Sequence, residues 1–277
     1  MIREVIKDDG YKIKELLSRE VGDFDEANLE EKINSNIYGI VYEDNDSIQG
    51  FAALNMYNKK LKKVEILLYV AEAYRRRGIG KEVYLKILEY CNNENISNII
   101  LEVRTEKNDT SKFFINRGFE KWYSATEMDY NGGKVENDLK VVNYEEKYYE
   151  IYKNAYEDAF LEMRQALGFN PPRDCYTIEE LGTMKDNIFM LLDNEDIIGA
   201  VRLHDNEIDD FFINQKYQGQ GYGRKLFKFS ISYYQKRNAE KIFLGVADWN
   251  VRGIKLYKSC GFVDTRKISA YRIKLSN

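Results

Sequence analysis

Two stretches decide how this chain folds: RRRGIGK (Arg75–Lys81) and QGQGYGR (Gln218–Arg224). Each follows an apolar, β-prone run, VEILLYV (Val64–Val70) before the first and EIDDFFI (Glu207–Ile213) before the second. Each also leads into a helical pattern. Val83, Ile87, Leu88 and Cys91 recur at three- and four-residue spacing after the first, and Leu226, Phe227, Ile231 and Tyr234 after the second. A glycine-rich turn between a strand and a helix lets backbone amides approach a ligand closely, and the helix start offers N–H groups without intrahelical partners. That combination suits a phosphate or pyrophosphate. It is not a Walker loop, because no Lys-Ser/Thr pair follows, and it is not the dinucleotide GxGxxG.

Working outward, the two stretches stand 143 residues apart, and so do NRGF (Asn116–Phe119) and SCGF (Ser259–Phe262). Two separated landmarks sharing one offset indicate an internal duplication, and a period of this size means two domains rather than a solenoid. The expected boundaries are 1–131 and 138–277, with the join at Asn131-Gly132-Gly133 and the polar KVEND behind it. Within each copy the same elements can be read. A first strand (Ile2–Ile6; Leu139–Val142) precedes a helical region, marked in the second copy by Tyr148, Tyr152, Ala155, Tyr156, Ala159, Phe160 and Met163 and ending before Asn170-Pro171-Pro172. A hairpin follows, Ile37–Glu43 with Ile48–Leu54 around DNDS, and Ile188–Leu192 with Ile197–Leu203 around DNED. After the glycine turn and its helix come IILEV (Ile99–Val103) or KIFLGV (Lys241–Val246), another helix, and a final strand, SATEMDY or SAYRIKL. The fold class expected is therefore α/β, two tandem domains each with a central mixed sheet flanked by helices.

Composition narrows the chemistry. With 44% hydrophobic and 14% aromatic residues the chain has material for substantial cores. A net charge of −4 gives no general attraction to nucleic acid. Three scattered cysteines (Cys91, Cys175, Cys260) argue against a disulfide framework or a cysteine zinc site, and one histidine excludes any multi-histidine metal site. That histidine, His204, follows an apolar run and precedes Asp205-Asn206, so it is expected at the exposed end of a strand. No apolar run approaches the roughly 20 residues of a membrane span, and MIREVIKDDG lacks the apolar segment of a signal peptide, so a cytoplasmic location is expected.

The pattern [QR]-x-x-G-x-[GA] after an apolar strand, followed about forty residues on by an aromatic helix ending in Gly-Phe, resembles the GNAT superfamily of N-acetyltransferases. Arg75–Gly80 and Gln218–Gly223 both fit, and NVRGIKLYKSCGF (Asn250–Phe262) is similar to that family's downstream motif. The resemblance covers nearly the whole chain, twice. It implies acetyl-CoA as co-substrate, with no metal, and transfer of the acetyl group to a primary amine in a ternary complex. It also implies that Gln218, Gly219, Gln220, Gly221, Tyr222, Gly223 and Arg224, with Arg75, Gly78 and Gly80 in the first copy, cradle the CoA pyrophosphate. The pantetheine arm would run between splayed strands past Asn250, and an amide near Phe212 or Ile213 would polarise the acyl carbonyl.

The second copy is expected to carry the chemistry. Tyr257 stands where the family places the general acid for the thiolate, whereas the residue 143 positions earlier is Phe114, which has no exchangeable proton. Glu207, on the strand entering the glycine turn, occupies the position of a catalytic glutamate in some members, and its counterpart is Val64. Strand alternation puts Asp209 on the same face as Glu207, a second candidate base, and Asp210 on the opposite one. Asn250 has only Asn108 as an approximate counterpart, with Lys107 at the equal offset. An acidic approach favours a cationic acceptor, a small molecule or a peptide amine, with Gly168–Tyr176 bordering its cleft. The competing reading is an acyl-CoA-binding sensor or scaffold without turnover.

Overall fold

The computed structural model describes residues 1–20, 33, 36–59, 62–104, 109–194 and 196–275. In chain order the elements are β1 (Ile2–Glu4), α1 (Asp9–Glu20), β2 (Tyr38–Asp44), β3 (Ser47–Asn58), β4 (Lys63–Val70), α2 (Ile79–Asn93), β5 (Asn98–Arg104), α3 (Ser111–Ile115) and β6 (Glu120–Tyr130). There follow β7 (Val142–Asn143), α4 (Tyr149–Ala166), α5 (Ile178–Met184), β8 (Ile188–Asp193), β9 (Asp196–His204), β10 (Glu207–Ile213), α6 (Tyr222–Gln235), β11 (Phe243–Ala247), α7 (Val251–Ser259) and β12 (Phe262–Lys274). The chain divides into two compact units, each assembled from discontinuous segments. Unit 1 comprises Met1–Val103, Thr110–Lys121 and Ala270–Asn277, and unit 2 comprises Arg104–Asp109 and Trp122–Ser269.

In unit 1 the strands run β1-β2-β3-β4-β5, with the end of β12 lying beside β5. The β2–β3 hairpin turns at Asn45 and Asp46, both at positive φ, the backbone that a two-residue type I′ turn demands. β4 and β5 are parallel and pair only at Lys63–Glu65 with Asn98–Ile100. Helix α2 covers one face through Val83, Ile87 and Cys91, all fully buried, and α1 covers the other through Ile13 and Leu17. Arg3 anchors α1 by a fork of 2.6 and 2.9 Å onto the buried Asp9 carboxylate, holding it below the ordinary aspartate range.

In unit 2 the order is β12-β6-β11-β10-β9-β8-β7. β6, the strand carrying SATEMDY, pairs antiparallel with β11 over Ala125–Asp129 and Ala247–Phe243. The apolar stripe expected in the second copy forms α4, which packs Tyr152, Ala155 and Tyr156 onto one face of the sheet. Helix α5 is started by a reciprocal cap: Thr177 Oγ1 accepts from the Glu180 amide at 3.2 Å, and the Glu180 carboxylate accepts from the Thr177 amide at 2.7 Å. On the opposite face α6 buries Leu226, Phe227 and Ile231 completely. One expected strand is shorter than its residues suggest. Leu139–Val142 reaches the sheet only at Val142, because the Leu139 amide donates to the Asn137 side chain at 2.8 Å, a local turn that competes with ladder pairing.

Candidate active site

The site of unit 2 begins where two parallel strands part. β10 and β11 share a register only at Glu207 and Phe243. Beyond that point β10 keeps its antiparallel partner β9 but loses β11, which leaves an open edge. Amides alternate in direction along a strand, and the Asn214 amide bonds the Ile198 carbonyl on the β9 side at 2.9 Å, so the Ile213 amide faces the open edge. The Ile213 carbonyl faces the same way and accepts a 3.0 Å bond from the Gln218 side chain. Gln218 therefore fastens the glycine turn to the end of its strand. Arg75 does the same in unit 1, donating to the Val70 carbonyl at 3.0 Å.

The glycine turn is a cradle of unsatisfied donors. Among the described residues, none of the backbone amides from Gly219 to Arg224 donates to another protein group. Gly219 and Gly221 sit at φ +75° and +85°, and a Cβ on either would meet nothing within 4 Å. The space above those amides is thus open for an anion, and the start of α6 adds its dipole. Tyr222, Gly223 and Arg224 form the first turn of α6, and a Cβ added at Gly223 would stand 3.6 Å from Ile213 and from Leu256. In unit 1 Gly78 caps α2 at φ +93°, and Gly80 lies against Phe113. There Arg76 takes the position of Gly219, at φ +64°.

Between the gap and α4 lies a cluster of charges. β10 carries a bulge between Asp209 and Phe212, with Asp210 at φ +46°. The extra residue breaks the alternation, which corrects the expectation that Asp210 points away from Asp209. Asp210 accepts from the Tyr156 hydroxyl at 3.0 Å, the Tyr176 hydroxyl at 2.9 Å and Arg202 Nε at 3.2 Å. The other arm of Arg202 bonds Asp209. The bulge also sends Phe212 toward α4 and Phe211 toward α6, where it meets Phe227 at 5.4 Å between ring centroids. Burial and the Asp209 charge raise the Asp210 carboxyl, whereas His204 and Arg202 outweigh burial to hold Asp209 below the ordinary range. Among the described residues Glu207 has no such guanidinium contact. Burial, reinforced by the Asp209 charge, raises it to about 7.

Tyr257 projects from α7 onto the α6 side, 8% exposed, its ring stacked 4.7 Å from Phe227. Burial, with the Asp209 charge behind it, raises its pKa and holds the phenol protonated. In unit 1 the corresponding Phe114 is packed among Tyr84, Phe113 and Phe119. Asn250 caps α7, its side-chain oxygen accepting from the Gly253 amide at 2.9 Å. Lys107 and Asn108 lie outside the described residues. The tertiary structure joins to this cluster Arg202 and Tyr156, to which the sequence pattern gave no role in the site, Asp210, expected on the other face, and Tyr176, from the segment expected to border the acceptor cleft. It also draws His204 from the expected exposed strand end into the cluster. The signal for His204 was present, since Asp205-Asn206 is a two-residue turn with both φ positive and sets His204 directly across from Glu207. Among the described residues no cluster of His, Cys, Asp and Glu is arranged to hold a metal, and no helix is long and apolar enough to cross a membrane.

The family model described as "Acetyltransferase (GNAT) family" matches residues 7–119 and again 145–262, so the chain belongs to that family, in tandem. The spermine/spermidine N(1)-acetyltransferase of Bacillus subtilis (strain 168) is 29% identical over 126 residues, 45% of this chain and 77% of that one. Among solved structures, a GCN5-related N-acetyltransferase from Sphaerobacter thermophilus matches with a TM-score of 0.78 at 13% identity, covering 99% of this chain and 95% of its own. A tandem GNAT protein from the clavulanic acid biosynthesis pathway matches with a TM-score of 0.70 at 10% identity, covering 100% and 99%. At these identities the two structures speak for the fold alone.

Proposed function

We propose that the protein is an acetyl-CoA-dependent N-acetyltransferase acting on a cationic primary amine, with the chemistry in the C-terminal stretch, 138–277, and a degenerate copy in 1–131. The observation that carries the reading is the parting of β10 from β11 immediately after Glu207, with an open amide cradle at the far end of the same strand. The Gly219–Arg224 amides would take the pyrophosphate, and the Ile213 amide the thioester oxygen. Glu207, poised at about 7, accepts a proton from the acceptor ammonium, directly or through a water. The freed amine attacks the carbonyl carbon, a C–N bond forms, and the C–S bond breaks. Tyr257 gives its proton to the departing thiolate, and the second proton of the attacking nitrogen, released as the amide forms, restores the phenol by way of water. Glu207 and Asp209, with Glu127 nearby, supply negative potential on the acceptor side, which supports a cationic acceptor, as does the name of the Bacillus relative. In this arrangement Asp209 serves the acceptor's charge rather than its proton, because Arg202 and His204 keep it ionised well below neutrality.

The test is a panel of polyamines, amino sugars and peptide amines incubated with acetyl-CoA while free thiol is followed. Amine-dependent thiol release that falls in Glu207→Gln supports the reading. The sensor reading draws on the packing of Tyr257 against Phe227, an arrangement a core aromatic would share. It predicts saturable CoA binding with thiol release at background across the whole panel.

A further inference from the structure

His204 is the single histidine of the chain, and the fold places it where a solvated strand end gains nothing. Its Nε2 is buried, has no hydrogen-bond partner among the described residues, and lies 3.7 Å from a carboxylate oxygen of Glu207 and 3.7 Å from one of Asp209. The other nitrogen, Nδ1, is 3.6 Å from the fully solvated Asp205. An imidazole nitrogen equidistant from two carboxylates and bonded to neither is in a poor place when neutral and a good one when protonated.

We propose that His204 is a positioning residue for the transfer: as an imidazolium between Glu207 and Asp209, it lets both carboxylates stay ionised side by side and so sets the pH at which Glu207 becomes a base. The inference rests on the reading of Glu207 as that base. The surroundings are accounted for on every side. Arg202, on the same strand, is committed to Asp209 and Asp210 on its two arms. Asp209 and Glu207 come from β10, and Asp205 from the turn. Glu127, on β6, adds negative charge behind Glu207 and is itself met by Arg266 of β12 at 3.4 Å. On the α6 side the Tyr234 hydroxyl donates to the backbone carbonyls of Glu207 at 2.6 Å and His204 at 3.3 Å, clamping the turn that brings the two side chains together. Of the cations here, only His204 approaches the Glu207 carboxylate within 4 Å among the described residues. The Asp209 carboxylate raises the imidazole above its usual value, against burial and Arg202. The imidazolium in turn opposes the burial and the Asp209 repulsion that push Glu207 up.

An opposite charge within about 4–6 Å commonly lowers a carboxyl pKa by about 1–3 units. In His204→Gln the acid limb of kcat/KM should therefore move up by roughly one pH unit, lowering kcat/KM about tenfold at pH 6 and much less at pH 9. His204→Lys keeps a cation and should hold the limb near its wild-type midpoint. Because the chain has one histidine, its imidazole is a single set of NMR resonances that can be titrated without any assay. The midpoint should lie above 6.5 in the wild type and fall in both Glu207→Gln and Asp209→Asn. An imidazole titrating at or below 6.5, and unmoved by either substitution, overturns the proposal even where His204→Gln does not fold. An unshifted acid limb in a folded His204→Gln enzyme overturns it as well. A coupled imidazole in an enzyme whose profile has no Glu207 limb supports the His204–Glu207 pair and removes Glu207 from the chemistry, so the two ideas fail separately.

Discussion

The two splayed strand pairs of this molecule are built alike and differ in what they hold. In unit 1 β4 leaves β5 after Glu65, and its pairing with β3 stays in register from Val64 to Val70. In unit 2 β10 leaves β11 at once, and the bulge at Asp210 interrupts its pairing with β9. Val64 is buried in the apolar core of unit 1, whereas Glu207 in unit 2 is half-buried beside the charges of Asp209 and His204. Both units keep the glycine at the helix start and a side chain tying the turn to its strand. The turn is thus alike in both units, because it depends on backbone geometry, whereas the surroundings of the strand gap differ in a few side chains and one bulge.

The largest effect should come from cutting the chain at Asn131–Gly133. Residues 1–131 lack the β12 segment beside β5, and residues 138–277 lack β6, so each fragment exposes an unpaired sheet edge. Each alone should lose cooperative thermal unfolding and bind a hydrophobic dye. A cooperative transition in the isolated 138–277 fragment would break this expectation and make the copies independent folding units.

Next comes the turn itself. Gly221→Asp places a side chain and a negative charge over the amide cradle at a positive φ, and it should lower CoA affinity at least about a hundredfold by calorimetry. The paired variant Gly78→Asp separates the copies. It should leave amine-dependent thiol release unchanged.

The chemical variants sharpen the same contrast. Glu207→Gln should lower kcat/KM by about 10²–10⁴-fold at pH 7.5 and abolish the acid limb near pH 7. With Tyr257 as the acid proposed above, Tyr257→Phe should lower kcat by a similar factor, with CoA binding nearly unchanged. Undiminished kcat would leave Tyr257 a core aromatic like Phe114. Phe114→Tyr should give no measurable activity in a Glu207→Gln background, since Val64 supplies no base.

The smallest effect concerns stability. Glu207 titrates higher folded than unfolded, so the folded state binds its proton more tightly. The stability this confers is complete below about pH 4.5 and lost as pH rises through about 7. Glu207→Gln should therefore raise Tm at pH 8, by a few degrees for about 2 kcal/mol, and leave it unchanged near pH 4. Equal Tm values at pH 8 would show that the Glu207 carboxylate is better solvated than its surroundings indicate.

The sequence by itself determined the duplication, the order of elements in each copy, and the family. Each of these is written locally: glycines where φ must be positive, apolar residues at period two or near 3.6, and landmarks 143 residues apart. It also distinguished Tyr257 from Phe114 and Glu207 from Val64. Only the tertiary structure decided which strand completes which sheet. Any β-prone run can pair with any open edge, so SATEMDY beside β11 and the end of SAYRIKL beside β5 could not be read from the segments themselves. Only the tertiary structure turned Asp210 to the side of Asp209, because a bulge is a property of two strands in register and not of one. It also set the ionisation of Glu207, since a carboxylate's pKa is set by what surrounds it: the burial, the Asp209 charge and the His204 imidazole that the fold assembles there.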